Sequence, residues 1–433
     1  MVGIGLAIPW VSLQLPGALV RFLPGVKDPQ QQRDITYSIF FLALLFSILL
    51  ALIIGLCFYL ALANTRWEAL RSMLPIILAL LISSTCLESV RSYFRALRYM
   101  VRHSTISIAQ YFGELLLVTF TLLETNNIAE GLLALLAIRT ILSIIGAFSI
   151  TRQLGFSWPD FTNARIYLKF SIPLIPNSAL YRLFDAGDRY LLAHFLNHAA
   201  VGVYFVSYTA SSFFTTIISP IHLVLLPALS ELWNEGNKEK IGEYIADIIG
   251  YTAILSLPFI AFAILIPTEL LSMLTSDTYA ESARYIPILA LGFLAFSLGV
   301  PGDHLLVAAG KTHVLFLING AMVLANLTMN ILLIPRIGIS GAALSTVAGH
   351  LIYALTVLVL ARRIVSFSIP WRSLFMATFN TAAMGIILMI AKPHVHLVVS
   401  ISASSITYII LSLATGVLGK REWNFICQLI DKK

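Results

Sequence analysis

Charge is what this sequence has least of. Charged residues make up 11% of its 433 positions, against about 25% in a soluble domain. A water-soluble chain this poor in charge could not cover its surface, so lipid must cover part of it. Cysteine is almost as scarce. Cys57 and Cys86 fall in apolar segments and Cys427 in the C-terminal tail. No CxxC or Cys/His cluster exists, which argues against a disulfide framework or a zinc site. The first twenty residues are apolar but carry no basic leader or cleavage site. Walker A, GxSxG, HExxH and DxD-type patterns are all missing. ATP-driven transport and enzymatic chemistry therefore have no sequence support, and no cofactor is implied. The nine histidines are scattered, and His394 and His396 share a loop that offers no third ligand.

What is present is apolar sequence, 58% of the chain. A spanning helix needs about 20 apolar residues. Spans are expected near 39–63, 70–90, 105–123, 128–151, 168–195, 199–227, 244–267, 284–308, 312–334, 339–363, 372–391 and 396–418. A weaker candidate covers 2–20, where Pro9 and Pro16 intervene. The expected class is an all-α polytopic membrane protein. The net charge of +7 then reads as loop topology, not as nucleic-acid binding. With loop 21–38 placed inside, inside loops hold twenty of the 28 Lys and Arg and outside loops five. Arg139, Arg182 and Arg189 remain within spans. This bias predicts a multi-pass protein of the cytoplasmic membrane with its C-terminus inside.

The two halves resemble each other in order. Residues 95–110 match 307–319 in position, 128–134 match 337–343, and Val2-Gly3-Ile4-Gly5 lines up with Val201-Gly202-Val203-Tyr204. An offset of about 200–210 residues between copies of one orientation suggests two six-helix lobes, a design used by transporters. The expected units are 1–152, 153–364 and 365–433. The first has five helices, the second six, and the third two helices and a cytoplasmic tail. The second copy has a helix ahead of Val201, and the first has none ahead of Val2.

Ionisable groups at bilayer depth are costly and point to function. Arg182, Asp185 and Arg189 fall at i, i+3 and i+7 on one face of span 168–195, with Asp188 beside them. They could line a cavity for a diphosphate or acidic sugar, with a carboxylate for H⁺ or Na⁺. Mutual ion pairs that merely position the helix are the alternative. Arg139 stands alone in its span, near Glu130 or Glu114. Arg91, Arg95 and Arg98, at i, i+4 and i+7, could grip a diphosphate entering from the cytoplasm or could simply meet anionic headgroups. Asn319, Asn326 and Asn330 share a face suited to interhelical hydrogen bonds. Prolines within spans, Pro220, Pro227 and Pro258 among them, would act as flex points or simply shape the bundle.

Several short stretches together resemble a known family. They are Leu15-Pro16-Gly17-Ala18-Leu19-Val20-Arg21, Tyr93-Phe94-Arg95-Ala96, Phe170-Ser171-Ile172-Pro173 with Asp188-Arg189-Tyr190, Val201-Gly202-Val203-Tyr204, and 326–341 (NLTMNILLIPRIGISG). In order and spacing the chain is similar to the Wzx-like polysaccharide and O-antigen flippases of the multidrug/oligosaccharidyl-lipid/polysaccharide flippase superfamily. The resemblance implies fourteen helices, alternating access and a polyprenyl-linked oligosaccharide substrate. It implies membrane lipids, the lipid-linked glycan, and a glycan polymerase or glycosyltransferases as partners. The missing first helix departs from that plan, through an upstream start or a shortened, non-transporting variant. A cation-coupled drug antiporter of the same superfamily is the competing reading.

Overall fold

The computed structural model describes residues 10–61, 68–275 and 277–417. Among them are fifteen α-helices and no strand. Eleven helices are long and apolar enough to cross a membrane. The motif Val2-Gly3-Ile4-Gly5 and residues 2–9 of the expected span 2–20 lie outside the described residues, and the rest of that span is interrupted at Leu13–Gln14, which adopt φ 48° and 53°.

The first helices are α1 (Leu15–Phe22), α2 (Pro29–Ala61), α3 (Glu68–Ala96), α4 (Met100–Thr125) and α5 (Ile128–Leu154). α3 packs on α1, α2 and α5, and α4 on α5. α4 is the least covered: only 6% of its most apolar stretch is buried. Gly146 lets α5 approach α3, since a Cβ there would collide with Val90 Cγ1.

The expected span 168–195 is in fact broken. α6 (Ala164–Ser171) ends, and α7 (Leu174–Phe195) starts after Pro173. Proline has no N–H to donate into a preceding turn and its ring crowds the carbonyl four residues back, so a continuous apolar run still yields two helices. α7 holds two arginines and two aspartates, and of the expected spans within the described residues it is the one that is not long and apolar enough to cross a membrane.

Next come α8 (His198–Asn234), α9 (Lys238–Leu265), the short α10 (Pro267–Leu274), α11 (Ile286–Ala308), α12 (Thr312–Ile337) and α13 (Ile339–Ile364). Small residues let α11 and α13 meet closely: a Cβ on Gly299 would lie 2.9 Å from Ala354 Cα. Such approach favours helix association in lipid. α12 is flanked by α13 on one side and α7 on the other.

α7 and α12 run parallel in constant register. Thr312 Oγ1 donates to the Phe170 carbonyl (3.1 Å) just ahead of α7, and Asn319 Nδ2 to Asn177 Oδ1 (2.7 Å). Asn330 Nδ2 donates to Asp188 Oδ1 (2.6 Å). Every pair is 142 residues apart.

α14 (Trp371–Ala391) and α15 (Leu397–Ala414) form a hairpin against α9. The dock uses a proline. Pro258 leaves the Ile254 carbonyl without its helical donor, and Tyr408 Oη of α15 donates to that carbonyl at 2.6 Å.

Basic residues gather at one end of the bundle, in or beside the connections after α1, α3, α5, α8, α11 and α13. An apolar cluster that includes Leu19, Tyr93 and Phe94 as well as Phe184, Met322 and Tyr353 joins α1–α5 to α7–α13, and the polar contacts between them lie at this arginine-rich end. They are Arg21–Asn234 (2.8 Å), Asn234–Pro24 (3.0 Å), Arg95–Leu223 (3.0 Å), Arg98–Glu231 (2.6 Å) and Gln14–Ser178 (2.7 Å).

Candidate functional site: a buried carboxylate on α7

Asp188 is 1% exposed and is held from three helices. Tyr204 Oη of α8 (2.5 Å) and Thr346 Oγ1 of α13 (2.6 Å) donate to Oδ2. Asn330 Nδ2 of α12 donates to Oδ1 at 2.6 Å, and also reaches Asn326 Oδ1 at 3.1 Å. The Tyr204 and Thr346 hydroxyl oxygens lie 2.8 Å apart. All of these partners are neutral, and no basic side chain pairs with Asp188 among the described residues. Asn330 Oδ1 is buried without a partner. The site thus offers several oxygen atoms and one unbalanced negative charge. Burying such a charge is costly unless something neutralises it.

The other expected members of the ladder have separate surroundings. Asp185 accepts from Tyr208 Oη at 2.9 Å. The Arg189 guanidinium lies 4.8 Å from the Phe205 ring and 5.4 Å from that of Tyr208. Stacking on aromatic faces is favourable for arginine. Arg182 is exposed and has no hydrogen-bond or ion-pair partner among the described residues. The ladder is therefore not a set of mutual ion pairs. α8 supplies phenol and ring faces that take Asp185 and Arg189 singly.

A second carboxylate stands toward the opposite end of α7. Asp303 of α11 accepts from Tyr353 Oη (2.8 Å) and Tyr181 Oη (3.2 Å). Phe296 stacks on Tyr353 at 4.9 Å between centroids. Between the two carboxylates lies His350, with its ring centroid 4.9–5.2 Å from those of Phe184, Phe293 and Phe296.

Arg139 is not alone. Its Nε lies 2.7 Å from Glu114 Oε1, and Nη1 donates to Ser84 Oγ at 2.6 Å. Gln110 joins Glu114 (2.8 Å) to Arg91 (2.9 Å), and Arg91 pairs with Glu88. This chain of groups ties α3, α4 and α5 together with each cation matched by a carboxylate.

The three entry arginines do not share one face. α3 ends at Ala96 and Arg98 adopts φ 59°, so it lies beyond the helix and turns to Glu231. Arg91 faces α4, and Arg95 reaches the Leu223 carbonyl of α8. An i, i+4, i+7 spacing predicts a common face only while the helix lasts. A cleft of about 630 Å³ opens at this end, lined by Phe22, Lys27, Gln31, Asp34, Asp160, Asn163, Tyr167 and Asn234 among others.

Sequence reasoning placed Asp188 but missed Tyr204, Thr346, Tyr181 and Tyr353 as its and Asp303's partners. Tyr204 sat in the Val-Gly-Val-Tyr motif, which was the available signal. The shared face of the asparagines predicts interhelical hydrogen bonds, and Asn319 and Asn330 do bridge α12 to α7.

The helix arrangement is that of a known class of membrane transporter fold. It is similar to a MATE transporter of Vibrio cholerae in its bent form (TM-score 0.73, 15% identity, 84% of this chain and 86% of that one). It is also similar to a MOP superfamily transporter of Pyrococcus furiosus (TM-score 0.67, 13% identity, 84% and 85%). The lipid II flippase MurJ in an inward closed conformation matches over 94% of this chain and 90% of its own, at 16% identity and a TM-score of 0.58. At these identities the likeness is one of fold. An uncharacterized membrane protein of Methanocaldococcus jannaschii is 29% identical over 161 residues, 37% of this chain and 30% of that protein. The match therefore spans less than a third of that relative's length. Residues 25–284 match the model of the polysaccharide biosynthesis protein family, and the chain belongs to that family.

Proposed function

We propose that the protein is a flippase for polyprenyl-linked oligosaccharide. It would move its substrate from the cytoplasmic to the outer leaflet of the cytoplasmic membrane by alternating access of two lobes, α1–α5 and α7–α13. The arginine-rich end is taken as cytoplasmic, by the positive-inside bias. Transport is coupled to H⁺ or Na⁺ at Asp188. The observation that carries this reading is the Asp188 carboxylate, buried at the junction of α7, α8, α12 and α13 among neutral donors. A proton or a hard cation bound by oxygen atoms would relieve the uncompensated charge. Loading the site would then alter how α7 packs on α8, α12 and α13. Family membership supports the glycan substrate.

The test is flipping of a labelled lipid-linked oligosaccharide in proteoliposomes, under a Na⁺ or a pH gradient imposed separately. Asp188→Asn removes the charge and keeps the shape, and Arg189→Ala removes the stacked cation. Loss of gradient-driven flipping is expected in Asp188→Asn, and full transport in both variants overturns the site.

One observation favours a second reading, cation-coupled export of small organic cations. Asp303 sits among Tyr181, Tyr353 and Phe296 with no basic partner among the described residues, and the embedded Arg139 is already matched by Glu114. Uptake of a fluorescent organic cation, lost in Asp303→Asn while glycan flipping persists, would select it.

A further inference from the structure

α8 contains two prolines, Pro220 and Pro227. Each leaves a carbonyl four residues back without its N–H donor. At Pro220 that carbonyl belongs to Thr216, and Ser219 Oγ of the same helix donates to it at 2.9 Å. At Pro227 it belongs to Leu223, and the donor comes from the other half of the molecule: Arg95 Nε of α3, at 3.0 Å. A carbonyl at membrane depth needs a partner, so α8 is complete at its Pro227 bend only while α3 is docked against it.

Neighbouring contacts point the same way. Arg98 pairs with Glu231 at 2.6 Å, and Arg21 Nη1 donates to Asn234 Oδ1 at 2.8 Å. Leu223, Glu231 and Asn234 fall at i, i+8 and i+11, within one side of a helix. Three arginines from the first half therefore hold the last turns of α8.

They are not equivalent toward an anion. Arg98 stands in a cleft where the four carboxylates of Glu231, Glu235, Glu243 and Asp247 outnumber Arg98 and Lys240, a surplus that disfavours an anion. Arg95 has only the neutral Leu223 carbonyl as a hydrogen-bond partner among the described residues. A guanidinium prefers a bidentate phosphate to a single neutral oxygen.

We propose that the Leu223 carbonyl freed by Pro227 is a socket for Arg95, that this contact keeps the arginine-rich mouth closed, and that a diphosphate headgroup opens the mouth by taking Arg95. The closing device rests on geometry alone. The diphosphate as occupant rests on the flippase reading above.

The test is a distance measurement on the full chain in lipid nanodiscs. Spin labels go on Lys27→Cys and Lys240→Cys, both exposed and on opposite halves, with the three native cysteines replaced by serine. Arg95→Gln should raise the ratio of long to short distances about tenfold, the weight of a hydrogen bond to a charged group. Pro227→Ala should do the same with every arginine in place, because the alanine supplies a backbone N–H that fills the Leu223 carbonyl. This variant restores a helical hydrogen bond, so folding is not at risk. The double variant should resemble either single one. Pro220→Ala, whose carbonyl is filled locally, should leave the distances unchanged. Equal responses of Pro220→Ala and Pro227→Ala, or additive effects of Arg95→Gln and Pro227→Ala, overturn the socket.

For the occupant, geranylgeranyl diphosphate in phosphatidylcholine discs should widen the wild-type distance and leave Arg95→Gln where it already stands. Phosphatidylglycerol discs without it should stay closed. An equal response to phosphatidylglycerol, or none to the diphosphate, overturns the diphosphate assignment. None of these measurements requires transport, so a sound socket with no flipping would count against the flippase alone.

Discussion

At the scale of single residues, the structure separates carboxylates that are balanced from those that are not. Glu114 is matched by Arg139 and extended by Gln110 toward Arg91. Removing one member leaves a buried charge unpaired, a change of about 3 kcal/mol or more. Arg139→Gln should therefore lower the unfolding temperature in detergent, and Glu114→Gln with Arg139→Gln should recover most of the loss. A double variant no better than the single would show that the pair does not act as a pair. Asp188 behaves oppositely, since its partners are neutral. Tyr204→Phe removes a donor from Asp188 and leaves its charge in place. Ion-gradient coupling should shift in affinity for the ion, read as the gradient needed for half-maximal flipping, with little change in folding. The sequence displayed Asp188 because a charge inside an apolar run stands out. It concealed the cage because Tyr204, Asn330 and Thr346 are 16, 142 and 158 residues away, and tyrosine and threonine are unremarkable in a spanning helix.

At the scale of helices, apolar runs about as long as the bilayer core is thick were readable because lipid demands them. Ends and breaks were not. The run 168–195 carries no polar interruption at Ser171–Pro173 strong enough to mark a boundary, yet the chain divides into α6 and α7 there. The end of α3 at Ala96 likewise took Arg98 off the face that its spacing suggested. Prolines were visible but their role was not, since it depends on who fills the vacated carbonyl. Tyr408 fills the one left by Pro258. Tyr408→Phe should leave that carbonyl bare and loosen the α14–α15 hairpin by about 1 kcal/mol. Protease accessibility of the connection 392–396 would report it, and Pro258→Ala in the same chain should restore the wild-type pattern. Close packing sets a second limit. A Cβ on Gly341 would lie 2.6 Å from the Leu333 carbonyl carbon, which is backbone and cannot swing aside. Gly341→Ala should lower the unfolding temperature, whereas alanine at Gly320, whose nearest neighbour is 3.9 Å away, should not.

At the scale of the whole molecule, the hairpin α14–α15 is also fastened near the end opposite the arginines. Lys392, just past α14, pairs with Glu269 of α10. Partial burial alone would raise the Glu269 carboxyl. The hydrogen bond and charge of Lys392 outweigh that and hold it below the usual carboxylate range. A carboxyl lowered on folding stabilises the fold above its unfolded value and loses that contribution as pH falls through its folded value. The hairpin should thus be fully fastened at neutral pH and loosen under acid conditions below the ordinary carboxylate range. Glu269→Gln should remove this part of the acid response, as hydrogen exchange of 392–400 would show. Class and approximate span number followed from composition, because they are averages over many residues. How α1–α5 touch α7–α13 did not, because it rests on side chains far apart in the chain, as with Arg21–Asn234 and Arg95–Leu223.

The fixed offset between α7 and α12 has a consequence for how this chain can vary. Ties at 177/319 and 188/330 act as rungs about three helical turns apart, and 170/312 adds one at the end of α6. Inserting or deleting one residue between rungs on either helix would turn the next side chain by about 100° and detach it. Even a whole inserted turn would strand Asp188 from Asn330. Length changes in homologous chains should therefore be confined to the connections between these helices, where the spacing of the rungs is untouched. Paired indels of equal size in both helices would be the one exception.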